Sequence, residues 1–173
     1  MKKFAMLMMF VASVSGCRTN EFYLKEGATE TETAALYRAI DLVNNHLGCK
    51  VVAINSESAS DINNTTVVLF RDYVPEQDGS FFGMFWPKSN MIEIRRPFKN
   101  SGVDFNAAIL VHEIGHSLGL LHVEEDQRIM SGGIPHAAYS KTFNMDVDYT
   151  EDMWAEFAKS LSEVGITCDL YRD

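Results

Sequence analysis

Cysteine is scarce, three in 173 residues, too few to staple a small coreless scaffold. Proline, with 4, and glycine, with 11, are equally thin, which excludes collagen-like and low-complexity chains. Basic residues number 15 against 24 acidic ones, a formal charge of −9. Binding a nucleic-acid backbone needs clustered Lys and Arg, so that partner class is set aside. No apolar run reaches the ~20 residues that a membrane-spanning helix requires, and no internal repeat is visible. What is present is a chain 46% hydrophobic, enough for one domain with its own core.

Lys2 and Lys3 precede an apolar stretch from Phe4 to Val14, then Ser15, Gly16 and Cys17. A charged start, a short apolar run and small residues before a cut describe a secretory signal. The ending resembles a bacterial lipobox, which implies acylation of Cys17 after removal of residues 1–16. Residues 17–28 then form a tether and 29–173 a single domain, extracytoplasmic and membrane-anchored. Arg18 after the cysteine, where an Asp would retain the protein at the inner membrane, points to the outer membrane. The alternative is an ordinary signal with a chance cysteine and a secreted product. Cys49 and Cys168 remain, an even pair in an oxidising compartment, either bridged or two buried thiols.

Along the domain, Phe22–Leu24 reads as a short strand and Thr31–Leu47 as a helix stopped by Gly48. Lys50–Asn55, Thr65–Phe70, Phe81–Trp86 and Met91–Arg95 read as strands, the last with one face covered. Asp104 is a good N-cap for a helix from Phe105 to about Leu118, and Thr150 for a last helix on which Met153, Trp154, Phe157 and Leu161 share a face. Helix, strands, helix, loop and helix make an α/β pattern.

The chemistry concentrates in His112-Glu113-Ile114-Gly115-His116-Ser117-Leu118-Gly119-Leu120-Leu121-His122. On a helix, His112 and His116 project from one face and can share an ion. Glu113 stands beside them, able to touch water there without ligating the metal. One straight helix cannot wrap an ion, so a third ligand needs a break in the chain. Gly119 supplies it, since without Cβ it takes positive φ, and His122 returns as the third nitrogen donor. Three protein ligands leave an open position, the catalytic zinc arrangement. At average residue usage this constellation arises by accident in roughly one chain in 10⁵ of this length. His46 and His136 read as surface or locally bonded residues.

This stretch resembles the metzincin metallopeptidases, most closely the matrixin branch. Met130 stands eight residues past His122, similar to the turn in which that family places a Met under the metal. The resemblance extends in outline over about residues 21–168, with 112–130 as its motif. It implies an α/β (α+β) fold: a twisted mixed sheet of about five strands with an edge strand over the cleft, two long helices, and a small C-terminal subdomain holding the Met-turn and the last helix. The boundary between upper and lower parts would fall near 119–120. A Cys49–Cys168 bridge would be similar to one tying the two ends of astacin relatives. Departures are also present. Gly132 stands where astacins and serralysins carry a Tyr, and Pro135 and Tyr139 are only loose counterparts of the matrixin pocket wall. No long prosegment fits before the first helix.

The resemblance implies one catalytic Zn²⁺ on His112, His116 and His122, with Glu113 as general base; structural Ca²⁺ is not indicated. Phe82, Gly83, Met84 and Phe85 are expected to offer a strand edge to an extended peptide, with Tyr139, Leu118, Leu121 and Ile134 near an apolar pocket. The expected product is a monomeric endopeptidase acting on proteins or peptides. An aminopeptidase or cell-wall peptide hydrolase using the same zinc, and a non-enzymatic zinc-stabilised surface lipoprotein, are the alternatives. An intact Glu113 speaks against the last.

Overall fold

In a computed structural model that describes residues 19–55, 65–72, 82–96, 102–124, 129–131 and 149–168, the first helix opens at Thr29. The Thr29 side chain accepts from the Glu32 amide while the Glu32 carboxylate accepts from the Thr29 amide at 2.7 Å, a reciprocal cap that satisfies two orphan donors. Helix α1 runs Glu30–Leu47 and ends at Gly48 in the left-handed region. Its Ala35, Leu36, Ala39, Ile40 and Val43 are buried, the apolar stripe of an amphipathic helix. The signal sequence, Cys17, Phe81, Gly132, Ile134, Pro135, His136 and Tyr139 lie outside the described residues.

Five strands form one mixed sheet in the order β2-β1-β3-β5-β4. They are β1 (Asn20–Leu24), β2 (Val52–Ile54), β3 (Thr65–Asp72), β4 (Gly83–Trp86) and β5 (Met91–Arg96). All neighbours run parallel except β4, which pairs antiparallel with β5 and closes one edge. The β-branched and aromatic content of these segments suits a half-buried pleated surface. Phe22, Val68, Ile92 and Ile94 are fully buried toward the helices. On β5 the other face is not simply solvated: Arg95 is buried, its Nε 3.2 Å from Glu93, which also holds Arg71 Nε at 2.7 Å.

Helix α2 spans Val103–Ser117 and is the central element, packed on both α1 and the sheet. Its Ala107, Ala108, Ile109, Leu110, Val111 and Ile114 are all buried, as expected for a helix apolar around most of its circumference. Helix α3, Glu151–Glu163, is capped by Thr150, whose hydroxyl accepts from the Met153 amide. It buries Trp154, Phe157 and Leu161. Cys49 and Cys168 are bridged, tying the segment after α3 to the end of α1. No described helix is long and apolar enough to cross a membrane.

Two sequence expectations are corrected. The second strand is shorter than Lys50–Asn55 and starts at Val52; the Asn44 side chain accepts from the Val51 and Val52 amides and donates to the Val52 carbonyl, fixing the chain where the strand begins. Helix α2 starts two residues before Phe105, with Gly102 and not Asp104 as its N-cap. The Asp104 carboxylate lies in the first turn, 3.6 Å from Arg38 on α1. It favours the positive end of the helix dipole there.

Candidate metal centre

Helix α2 carries two of the expected ligands and its terminus delivers the third. The Gly119 amide donates to the His116 carbonyl and the Leu120 amide to that of Gly115, both at 3.0 Å. With Gly119 at φ +99, this is the Schellman ending that a glycine permits. The chain then doubles back and places His122 against the helix. Nε2 of His112, His116 and His122 lie 3.0–3.1 Å from one another. A tetrahedral zinc with bonds of ~2.0–2.1 Å would space such nitrogens by roughly 3.3 Å. Among the described residues this is the one cluster of three or more side chains able to share a metal.

The tautomers follow from the partners. His112 Nδ1 is 2.7 Å from the Ile129 carbonyl and His116 Nδ1 is 2.8 Å from the Leu120 carbonyl. A carbonyl only accepts, so each Nδ1 carries the proton and each Nε2 presents a lone pair. Lone pairs converging at such distances repel unless a cation stands among them. Protons do not readily take that place: burial holds His112 down at about 4, against the raising effect of the Ile129 bond, and neighbouring His116 and His122 lower it further. Burial likewise lowers His116. The donor set therefore fits a divalent metal of zinc's kind.

Glu113 is only 4% exposed, and its Oε2 has no hydrogen-bond partner among the described residues. Burial pushes its carboxyl up to about 7, opposed by the Phe85 backbone amide, which donates to it, and by the charge of Arg95. An unpaired buried carboxylate oxygen is costly, and a nearby cation and a water are the natural relief.

Residues 129–131 brace this centre from below. The Val123 amide donates to the Met130 carbonyl at 2.9 Å, and Val123 and Ser131 form a β-bridge. Met130 is buried with its Sδ against Gly115, the residue before His116, and Phe157 of α3 closes on the same glycine. The residue expected in a Met-turn thus lies against the helix that carries His112 and His116.

The expected substrate residues separate into groups. Phe82 packs edge-on to Phe105 at 6.2 Å, and Phe82 and Phe85 both lean on the core. Gly83 and Met84 lie on the edge strand, and Trp86, at 42% exposure, is its most open aromatic. Leu118 is buried in the core, whereas Leu121 is 82% exposed beside His122. His46 stacks on Trp154 with centroids 4.2 Å apart and bonds the Leu42 carbonyl. Sequence reading missed the Ile129 and Leu120 carbonyls, because backbone acceptors leave no residue-type signal. It also missed that Gly115 and Gly83 serve as contact surfaces.

The profile of the family described as Matrixin matches residues 28–155. No curated protein matches the chain. Among solved structures it is similar to a zinc-dependent peptidase from Methanocorpusculum labreanum, at 13% identity and TM-score 0.44, covering 64% of this chain and 86% of that one. It is also similar to metalloproteinase-II from Bacteroides fragilis, at 17% identity and TM-score 0.45, covering 83% of this chain and 52% of that one.

Proposed function

We propose that this chain, which belongs to the matrixin family and is a zinc metallopeptidase, is an endopeptidase that works from a lipid anchor at Cys17 outside the cytoplasm. His112, His116 and His122 hold the ion, and Glu113 moves the proton. The observation that carries this reading is the convergence of three Nε2 atoms, with a buried carboxylate oxygen of the next residue along, Glu113, left without a partner among the described residues.

When bound, zinc supplies a Lewis acid and brings the pKa of water it holds to near 7. Glu113 Oε2 accepts the proton of the attacking water and passes it to the leaving amine. The Phe85 amide keeps the carboxylate in place meanwhile. Carbonyls of Ile129 and Leu120 hold the two helix imidazoles in the ligating tautomer, and Met130 supports them from below. Strand β4 pairs only with β5 among the described strands. Its other edge offers backbone groups to an extended peptide, a binding mode that demands little of sequence.

The test compares wild type with Glu113→Ala on casein or a mixed peptide library, with zinc measured in each. Both proteins are expected to hold zinc, while cleavage by Glu113→Ala falls by about 10²–10⁴-fold. Equal activity would refute the role of Glu113, and no activity in either would favour a binding protein. Detergent partitioning of Cys17→Ser tests the anchor separately, and partitioning identical to wild type removes it.

A further inference from the structure

Gly83 lies on the face of β4 that meets α2. A β-carbon built there would stand 2.6 Å from Oε1 of Glu113, 2.9 Å from its Cγ and 2.6 Å from Cγ2 of Ile109. Non-bonded carbons rest at ~3.5–4.0 Å. The carboxylate could swing aside, but Ile109 is buried and β-branched within a helix, where essentially one rotamer is open to it. Only glycine allows β4 this close an approach.

The backbone gains from that approach. Arg95 donates to the Phe82 carbonyl at 2.8 Å, while Gly83 faces Ile94 and Phe85 faces Ile92 in the antiparallel register. Hydrogen-bonded and non-hydrogen-bonded pairs alternate along such a ladder. The amides and carbonyls of Gly83 and Phe85 therefore turn away from β5, toward the edge that no other described strand pairs. At an open edge the Phe85 amide would face water, yet it donates to the Glu113 carboxylate. Glu113 Oε2 is left without a partner.

We propose that Gly83 and the Phe85 amide are positioning elements for Glu113. The missing β-carbon lets the edge strand settle onto α2, and the outward amide then fixes one carboxylate oxygen so that the other is free for proton transfer. This rests on the reading of Glu113 as the base, and it makes the strand that would take the peptide also the strand that aims the base.

Amide hydrogen exchange in the zinc-loaded, substrate-free protein tests the contact independently of turnover. In Glu113→Ala the Phe85 amide is expected to exchange about tenfold faster or more, while the ladder amide of Met84 stays as in wild type. Equal protection of Phe85 in both proteins overturns the proposal. Should Glu113→Ala retain peptidase activity, the base assignment fails, and the exchange result still decides the contact.

Gly83→Ala tests the consequence. Its kcat is expected to fall by about ten- to a hundredfold, with KM within about threefold of wild type and zinc content unchanged. Glu113→Ala should cost less kcat in the Gly83→Ala background than alone, because residues that act as a unit are non-additive. Losses that simply multiply, or that fall on KM alone, overturn the positioning role.

Discussion

Glu113 is buried and its sequence neighbour His112 half-buried, and desolvation moves them in opposite directions. The carboxyl rises to about 7 and the imidazole falls to about 4, because in each case a low-dielectric setting penalises the charged form. Without metal, the Glu113 penalty is absent below its ordinary 4.5, grows as pH rises, and is complete above about 7. His112 acts with the other sign: it stays neutral in the folded chain while the unfolded chain takes up protons, so stability falls as pH drops from 6.5 toward about 4. Glu113→Gln removes only the first contribution. In chelator-treated protein it is expected to gain about 1–3 kcal/mol over wild type at pH 8 and nothing at pH 4, read by urea unfolding. Bound zinc supplies the missing countercharge, so the gain should shrink in the loaded protein; an equal gain with and without metal would contradict the pairing of carboxylate and ion. Gly119 gives a second prediction at this scale. A β-carbon there meets nothing within 4 Å, so the cost of Gly119→Ala is conformational, about 1–2 kcal/mol for leaving φ +99 or enduring it. Because the same turn aims the Leu120 carbonyl and His122, zinc affinity should fall with it, measurable by competition with a chromogenic chelator.

At the scale of the element, the caps separate stability from chemistry. The Thr29–Glu32 box closes α1 far along the chain from the ligands, so Thr29→Ala should cost about 1 kcal/mol in thermal or urea unfolding while kcat stays at the wild-type value. A parallel loss of kcat would mean that α1 sets the posture of α2, which packs against it. The caps are also what made these elements legible. Thr150 and Gly48 act through bonds within a few residues, so type and spacing suffice to find them. The eleven-residue metal motif is equally local up to Gly119, and its Schellman turn follows from one glycine. Legibility ends where a distant partner outbids the local one. Asp104 has the side chain of an N-cap but faces Arg38 of α1, and Asn44, eight residues away, bonds both backbone groups of Val52 where β2 begins. Likewise nothing in the residue type of Gly83 or Gly115 announces a neighbour; only packing brings Glu113 to one and Met130 to the other.

Across the whole molecule, the C-terminal helix reaches the metal centre through side-chain contact alone. Phe157 of α3 and Met130 meet at Gly115, between the two ligands of α2. The helix itself is fastened to α1 by the His46–Trp154 stack at 4.2 Å and by the Cys49–Cys168 bridge, which closes a separation of 119 residues. A loop that long is worth ~4–5 kcal/mol through the unfolded chain in the entropy model. If that were its whole effect, the native site would not notice the bond, and zinc would leave the double variant Cys49→Ser/Cys168→Ser at the wild-type rate under conditions where both proteins remain folded. The packing argues for more. Local openings are drawn from segments with the fewest anchors, and without the bridge α3 keeps only its non-covalent hold, the His46–Trp154 stack and the buried Trp154, Phe157 and Leu161. Each such opening withdraws Phe157 from Met130 and loosens the support of His112 and His116. The double variant is therefore expected to lose stability by a few kcal/mol and also to release zinc to excess chelator faster than wild type at temperatures well below its unfolding transition. A faster release that follows the opening of α3, seen as quicker amide exchange in residues 151–163, places the bridge in the upkeep of the metal site; unchanged release confines it to the unfolded state.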